Sequence, residues 1–463
     1  MMSMRKWIGR LVVVGALGAA VAVVPPPASS PTPVAVAQTG PGAGGEYHAV
    51  PPQRVFDSRP PGINDSAPLG KKPMTLAGSD FEVQVTGLAG VPADPNRVLA
   101  VVANVTVVEP EQPGWLAVRP SGAPMPNPPS SLVNFAAGRD VPNTTIVGVG
   151  SNGRITVRLR GTGSAHVIVD VSGWISTSSH DVRGARLVPV GPARLTDTRN
   201  NAAPLRSGQT LSLPIRGATS YEPTISNVVP NRSTVSAVMV NLVAINWQPG
   251  SRPTYVTATP TPIPAGTRPT VSNVNLPAGM VKTNMAIVPI GPDGRIHLYN
   301  FDGDLHLAVD VLGYFETIPD ASSAGRIVPL DAPFRALDTR EPNFGSVPLG
   351  GGTTEDWSFS AFAGSVQIGG LAIGAQSALI GNFTATDLSR VVPSVPTTTY
   401  LTAFPAGGAR PLVSNINLAE GEVVPNMSLV TYGNEGRGSE AVKVYNHDGS
   451  VHYVLDVYAV VLS

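Results

Sequence analysis

The pattern Arg-x-x-Asp-Ser/Thr-Arg occurs three times: as Arg54, Asp57, Ser58 and Arg59, as Arg194, Asp197, Thr198 and Arg199, and as Arg335, Asp338, Thr339 and Arg340. The aspartates lie 140 and 141 residues apart, so the repeating unit has the length of a domain rather than of a solenoid turn. A chain of 463 residues holds three such units, each long enough to bury a core of its own. Laid side by side, the units share further polar positions. Asn104, Asn241 and Asn382 each interrupt a β-branched run, and Ser131 with Asn134, Ser272 with Asn275 and Ser414 with Asn417 recur as Ser-x-x-Asn. Asn143, Asn284 and Asn426 follow the shared glycines Gly138, Gly279 and Gly421. Near the end of each unit, His166, His306 and His452 precede Asp170, Asp310 and Asp456 by four residues.

Between these positions lie short runs rich in Val, Ile and Thr, such as 98–108, 144–149 and 166–171, separated by Gly, Pro and Asn. That spacing is the signature of an all-β sandwich or barrel. Ser151-Asn152-Gly153 and Pro292-Asp293-Gly294 read as hairpin turns. The expected fold is therefore all-β, with three tandem β-sandwich (jelly-roll-like) domains over 46–178, 185–318 and 325–463. Residues 1–37 have the three parts of a secretory signal: basic Met1 to Arg10, apolar Leu11 to Val24, and Ala35-Val36-Ala37 as a small-residue cleavage site. The apolar run has 14 residues, short of the ~20 that cross a bilayer comfortably, so export is expected rather than retention as a membrane anchor. Residues 38–45 read as a Gly/Pro tether, and the mature chain is expected to hold no transmembrane segment.

Composition narrows the functional classes. Arg5, Lys6 and Arg10 fall within the signal, which leaves 28 basic against 31 acidic residues beyond it and no basic run. Nucleic-acid binding needs Lys and Arg clustered along one face, so that class of partner is set aside. The absence of cysteine removes disulfides, thiolate chemistry and cysteine-ligated zinc together.

The recurring polar residues have a framework reading. On a strand, His166, Ile168 and Asp170 share one face, so Asp170 sits in apolar company and needs a cation. The basic residues that recur with it are those of the opening motif. The expected ion-pair set is Arg54, Asp57, Arg59 and Asp170; Arg194, Asp197, Arg199 and Asp310; and Arg335, Asp338, Arg340 and Asp456. A catalytic reading of the same residues is disfavoured. His166 and Asp170 would stand ~13 Å apart along a strand, and no serine has a nucleophile-elbow context. No catalytic, cofactor-binding or metal-ligating residue is assigned. Asn104, Asn241, Asn382, Asn134, Asn275 and Asn417 are candidate buried amides bonded to loop backbone. Trp115, Tyr255 and Tyr400 follow the long apolar strand at similar places and are candidates for stacking on sugar rings.

Pro-x-Arg-hydrophobic-x-Asp-Thr-Arg at the start, Ser-x-hydrophobic-Asn-Leu in the middle and Asp-Val-x-Gly-Tyr-Phe at the end resemble a module of about 130 residues. It is found in secreted and cell-wall-associated proteins of actinobacteria. The second repeat matches best, ending Asp310-Val311-Leu312-Gly313-Tyr314-Phe315; the third ends Asp456-Val457-Tyr458-Ala459-Val460 and lacks the glycine of an expected closing turn. The resemblance implies an extracellular, non-catalytic accessory module without an established ligand. The expected function is thus that of a secreted surface or cell-wall-associated structural or adhesion protein, with a cell-wall polysaccharide or a surface protein as partner. The alternative is a multivalent carbohydrate-binding protein, and the least favoured reading is an unrecognised hydrolase.

Overall fold

A computed structural model describes residues 44–59, 70–177, 182–201, 203–247, 251–264, 266–320, 322–358, 367–368, 371–372, 376–389, 397–433 and 441–463. The expected signal, 1–37, and most of the tether lie outside the described residues. Each repeat folds into two main antiparallel sheets, to which the second adds a two-stranded ribbon of Ser220–Tyr221 with Thr224–Ile225 and the third one of Gln367–Ile368 with Leu371–Ala372. In the first repeat the inner sheet runs, in spatial order, Tyr47–Asp57, Ser164–Ser176, Val98–Val108, Val141–Gly148. The outer sheet runs Ser79–Gln84, Arg154–Gly161, Gly114–Pro120, Val133–Phe135. The second repeat has the same order, Arg186–Asp197, His306–Glu316, Val235–Ile245, Val281–Pro289 inside and Thr210–Pro214, Arg295–Asn300, Thr254–Thr259, Val274–Leu276 outside. The third repeats it again, with Gln376–Ser389 and Ser450–Leu462 at the centre of its inner sheet.

The all-β content agrees with the sequence, but three tandem jelly-roll sandwiches do not describe the arrangement. Six small sheets, two per repeat, are set as the blades of a six-bladed β-propeller. The physical reason lies in the alternation along the longest strand of each repeat, where successive side chains point to opposite faces. In Val235–Ile245, Val238, Val240, Leu242 and Ala244 fill the core of their own repeat. Ala237 and Met239 instead join a cluster shared by all three repeats. Ala378 and Ile380 of the third repeat, and Ala100 and Val102 of the first, belong to that same cluster, with Ile146, Ile287 and Leu429 beside them. These central strands are buried on both faces. A repeat cut out of this ring would expose an apolar face, which is why it is not an independent sandwich.

The repeat starts close the ring at one end of the pseudo-threefold axis. Gly45 and Ile327 exchange backbone hydrogen bonds of 2.9 Å in each direction, Tyr47 and Ala185 exchange bonds of 2.7 and 2.8 Å, and Leu187 N–H donates to Gly325 O at 2.9 Å. The first repeat is thereby joined to the second, the second to the third, and the third back to the first. Glu46, Arg186 and Arg326 occupy equivalent places in this collar. Glu46 accepts from Arg186 Nε at 3.1 Å and lies 3.7 Å from Arg326 Nη2, while Arg186 also donates to Asp320 Oδ1 at 2.6 Å.

The expected closing turn is a further correction. Gly173 and Gly313 lie within strands and are required by close approach: a Cβ on Gly173 would stand 2.2 Å from the Tyr47 ring. At the third equivalent place Ala459 is fully buried in its strand, facing the register partner Pro329, so the repeat closes without the glycine.

Candidate functional site

Each opening motif lies on the first strand of its inner sheet, directly across from the aspartate of the closing strand: Arg54 is paired in register with Asp170, Arg194 with Asp310, and Arg335 with Asp456. The guanidinium reaches both carboxylate oxygens. Arg54 Nε and Nη2 donate to Asp170 at 2.7 and 3.1 Å, Arg194 to Asp310 at 2.7 and 3.1 Å, and Arg335 to Asp456 at 2.8 and 3.0 Å. The two-pronged fit is the geometry in which such a pair is strongest. The motif aspartate bridges its two arginines, as Asp57 does between Arg54 Nη1 at 3.2 Å and Arg59 Nη2 at 2.7 Å, and Asp197 and Asp338 do the same.

The two kinds of aspartate titrate in opposite directions. Burial lifts Asp170, Asp310 and Asp456 above the ordinary carboxylate value, and the hydrogen bonds and charge of their arginines offset this only in part. Burial also pushes Asp57, Asp197 and Asp338 upward, but hydrogen bonds from the second arginine and the charges of both hold them below the ordinary value.

The buried asparagines lock the repeats to one another. Asn143 Nδ2 donates to Asn382 Oδ1 at 2.9 Å, Asn284 to Asn104 at 3.2 Å and Asn426 to Asn241 at 2.9 Å, each bond crossing a different seam. The amides of Asn104, Asn241 and Asn382 in turn reach the carbonyls of Ser272, Ser414 and Ser131 in the next repeat, at 2.7, 2.5 and 2.5 Å. Asn143 also donates to Leu132 O and accepts from Met427 N–H, which uses both of its amide hydrogens and its oxygen. The motif arginines add to two seams, Arg54 donating to Thr270 O at 2.8 Å and Arg335 to Pro129 O at 3.1 Å. Asn134, Asn275 and Asn417, expected to be buried, are half-buried instead. They sit on the short edge strand of the outer sheet and line cavities between repeats rather than the core.

The histidines anchor the motif hydroxyls. Ser58 Oγ lies 3.1 Å from His166 Nδ1 and accepts from Val167 N–H at 2.9 Å; Thr198 with His306 and Thr339 with His452 form the same contact at 3.1 and 3.0 Å. The backbone N–H holds the hydroxyl in place; the three hydroxyl residues, His166 and His306 are buried, and His452 is half-buried.

Trp115, Tyr255 and Tyr400 are half-buried and stand directly across the outer sheet from Asn134, Asn275 and Asn417. Each pair therefore presents a ring beside an amide. Trp115, Asn134 and Phe135 line a cavity of about 930 Å³ at the end of the axis opposite the collar. Its walls also carry the turns at Gly421 and Met280, and Asn284 of the asparagine ring lines it too. Tyr400 and Asn417 line a second cavity of about 740 Å³ in the seam between the second and third repeats, with Trp247 and His447. His447 stacks on Tyr400, the ring centroids 4.6 Å apart, and Arg199 lies over the Trp247 ring at 5.9 Å. Trp247 was not singled out from the sequence because the repeats do not share it: the equivalent positions hold Pro110 and Leu388. A tryptophan at a place where its sister repeats carry no aromatic residue is the signal that could have found it.

No protein-family model matches the chain, and no curated protein does so at a significant level. Among solved structures, a chain from the atomic structure of Sulfolobus Turreted Icosahedral Virus aligns over 90% of this chain and 91% of its own length, at 8% identity and a TM-score of 0.16. So low a superposition score carries no argument. Among the described residues, no helix is long and apolar enough to cross a membrane.

Proposed function

We propose that this is a secreted, non-catalytic surface protein whose adhesion rests on binding cell-wall polysaccharide. The observation that carries the reading is the threefold recurrence of a half-buried ring beside an amide: Trp115 with Asn134, Tyr255 with Asn275, and Tyr400 with Asn417. A pyranose ring offers an apolar face that stacks on an aromatic side chain and hydroxyls that bond to an amide at its edge. The cavities that hold two of these pairs, about 930 and 740 Å³, fall in the size range of small-ligand sites. The polar groups of highest energy, the arginine and aspartate sets, are bonded to one another and to backbone. That commitment favours a framework role for them over a catalytic one.

The test is a pull-down of the mature chain on insoluble peptidoglycan and on arabinogalactan, beside a variant carrying Trp115→Ala, Tyr255→Ala and Tyr400→Ala together. Retention of the parent and loss of the variant is the expected result. A parent that stays in the supernatant on both polymers, or a variant retained equally, contradicts the reading.

A further inference from the structure

The two cavities adjoin. Met280, Ala419 and Glu422 line both, so the seam groove beside Trp247 and Tyr400 meets the axial cavity beside Trp115 at a common wall. We infer that together they form one continuous track for an extended glycan chain, running from the seam between the second and third repeats across the axis to Trp115. This deepens the function proposed above and rests on it, replacing three equal sites by one long one.

Three observations support the step. First, aromatic rings line both parts, the Tyr400–His447 stack and Trp247 in the seam groove and Trp115 in the axial cavity, and Trp247 stands beside the junction, where the N–H of its neighbour Asn246 donates to Met280 O at 2.9 Å. Second, the cations of the seam groove and of the junction are paired within the protein. Lys282 Nζ donates to Glu422 Oε1 at 2.6 Å at the junction, and Arg194 and Arg199 are held by Asp197 and Asp310. The axial cavity adds Arg139 and Arg160, the latter over the Trp115 ring at 5.6 Å, so the path admits acidic as well as uncharged sugars. Third, the repeats break their symmetry here. Trp247, 54% exposed, has no aromatic counterpart at Pro110 or Leu388, and Lys282 has none at Val141 or Val424. A set of three equivalent sites would not need residues peculiar to one seam.

The test is calorimetric titration of the full mature chain with di-, tetra- and octasaccharides from arabinogalactan and with glycan strands of matching lengths freed from peptidoglycan. For one of the two series, affinity is expected to rise with length and the octasaccharide to bind one per chain. Trp247→Ala and Trp115→Ala are each expected to weaken the octasaccharide about tenfold, the loss of one stacking contact. Met280→Trp, which places a bulky ring at the junction, is expected to reduce the octasaccharide to the affinity of the disaccharide and to leave the disaccharide unchanged. Thermal unfolding of each variant at the parent's temperature guards against misfolding. Three molecules bound per chain, an affinity independent of length, or a Met280→Trp variant that keeps the length dependence overturns the single track while leaving glycan binding in place. No heat with any oligosaccharide and no retention on either polymer overturns both.

Discussion

One end of the pseudo-threefold axis is sealed and the other is open, although the same three repeats build both. At the sealed end the repeat starts bond backbone to backbone through Gly45, Tyr47, Ala185, Leu187, Gly325 and Ile327, and Glu46 sits between Arg186 and Arg326. At the open end the turns carrying Gly138, Gly279 and Gly421, all at positive φ, surround a cavity. Between them lies a polar layer in which Arg54, Asp170 and Asn104 occupy one register across the inner sheet, with Asn143 meeting Asn382 from the next repeat. The difference teaches where this cysteine-free chain places its stability. The middle layer and the collar hold the ring together, and the cavity rim is free to vary.

That division can be broken by substitution. The largest effect is expected in the polar layer: Arg335→Ala leaves Asp456 buried without its cation, and the chain should lose about 3–5 kcal/mol of stability by denaturant unfolding. A loss below about 1 kcal/mol would show that the layer is incidental. Next comes the seam. Asn143→Ala strands the Asn382 oxygen and the Met427 N–H, each unmet buried group costing roughly 1–3 kcal/mol.

The pH response sharpens the comparison within the layer. Asp197, held below the ordinary carboxylate value, contributes stability that is present above that value and is lost as pH falls through its lowered pKa. Asp310, lifted by burial, contributes stability that is full below the ordinary value and is lost as pH rises through its raised pKa. Asp197→Asn should therefore flatten the loss of stability on acidification, and Asp310→Asn should steepen it, measured by denaturant unfolding across a pH series. Slopes that change in the same direction would contradict the assignment. The smallest effect is expected at the rim, where Trp247→Ala should shift stability by no more than about 0.5 kcal/mol. A larger loss would make Trp247 part of the framework.

Much of the layer was legible in the sequence because it rests on local rules. Strand alternation places Asp170 among apolar neighbours, and a carboxylate there calls for a guanidinium, which the repeat supplies in Arg54. The propeller was not legible, because alternation shows which residues share a face but not what covers that face. Met239 and Val240 look alike in a strand, yet one meets the other repeats and the other its own outer sheet. The half-exposure of Asn134, Asn275 and Asn417 was hidden for the same reason: it depends on the groove that forms only when neighbouring repeats meet. The open track escaped notice because Trp247 and Lys282 break the repeat, and comparison of repeats finds only what they share.

The central claim is that the repeats, two blades each, are parts of one ring rather than independent domains, and expression of residues 185–318 alone tests it most directly. Removed from its neighbours, this segment exposes Ala237, Met239, Met285 and Ile287 together with the unpartnered amides of Asn241 and Asn284. Sedimentation and hydrogen exchange should find no stable monomer, the segment either remaining unfolded or associating with further copies of itself. A monomeric segment with the amide protection of the full chain would contradict the account.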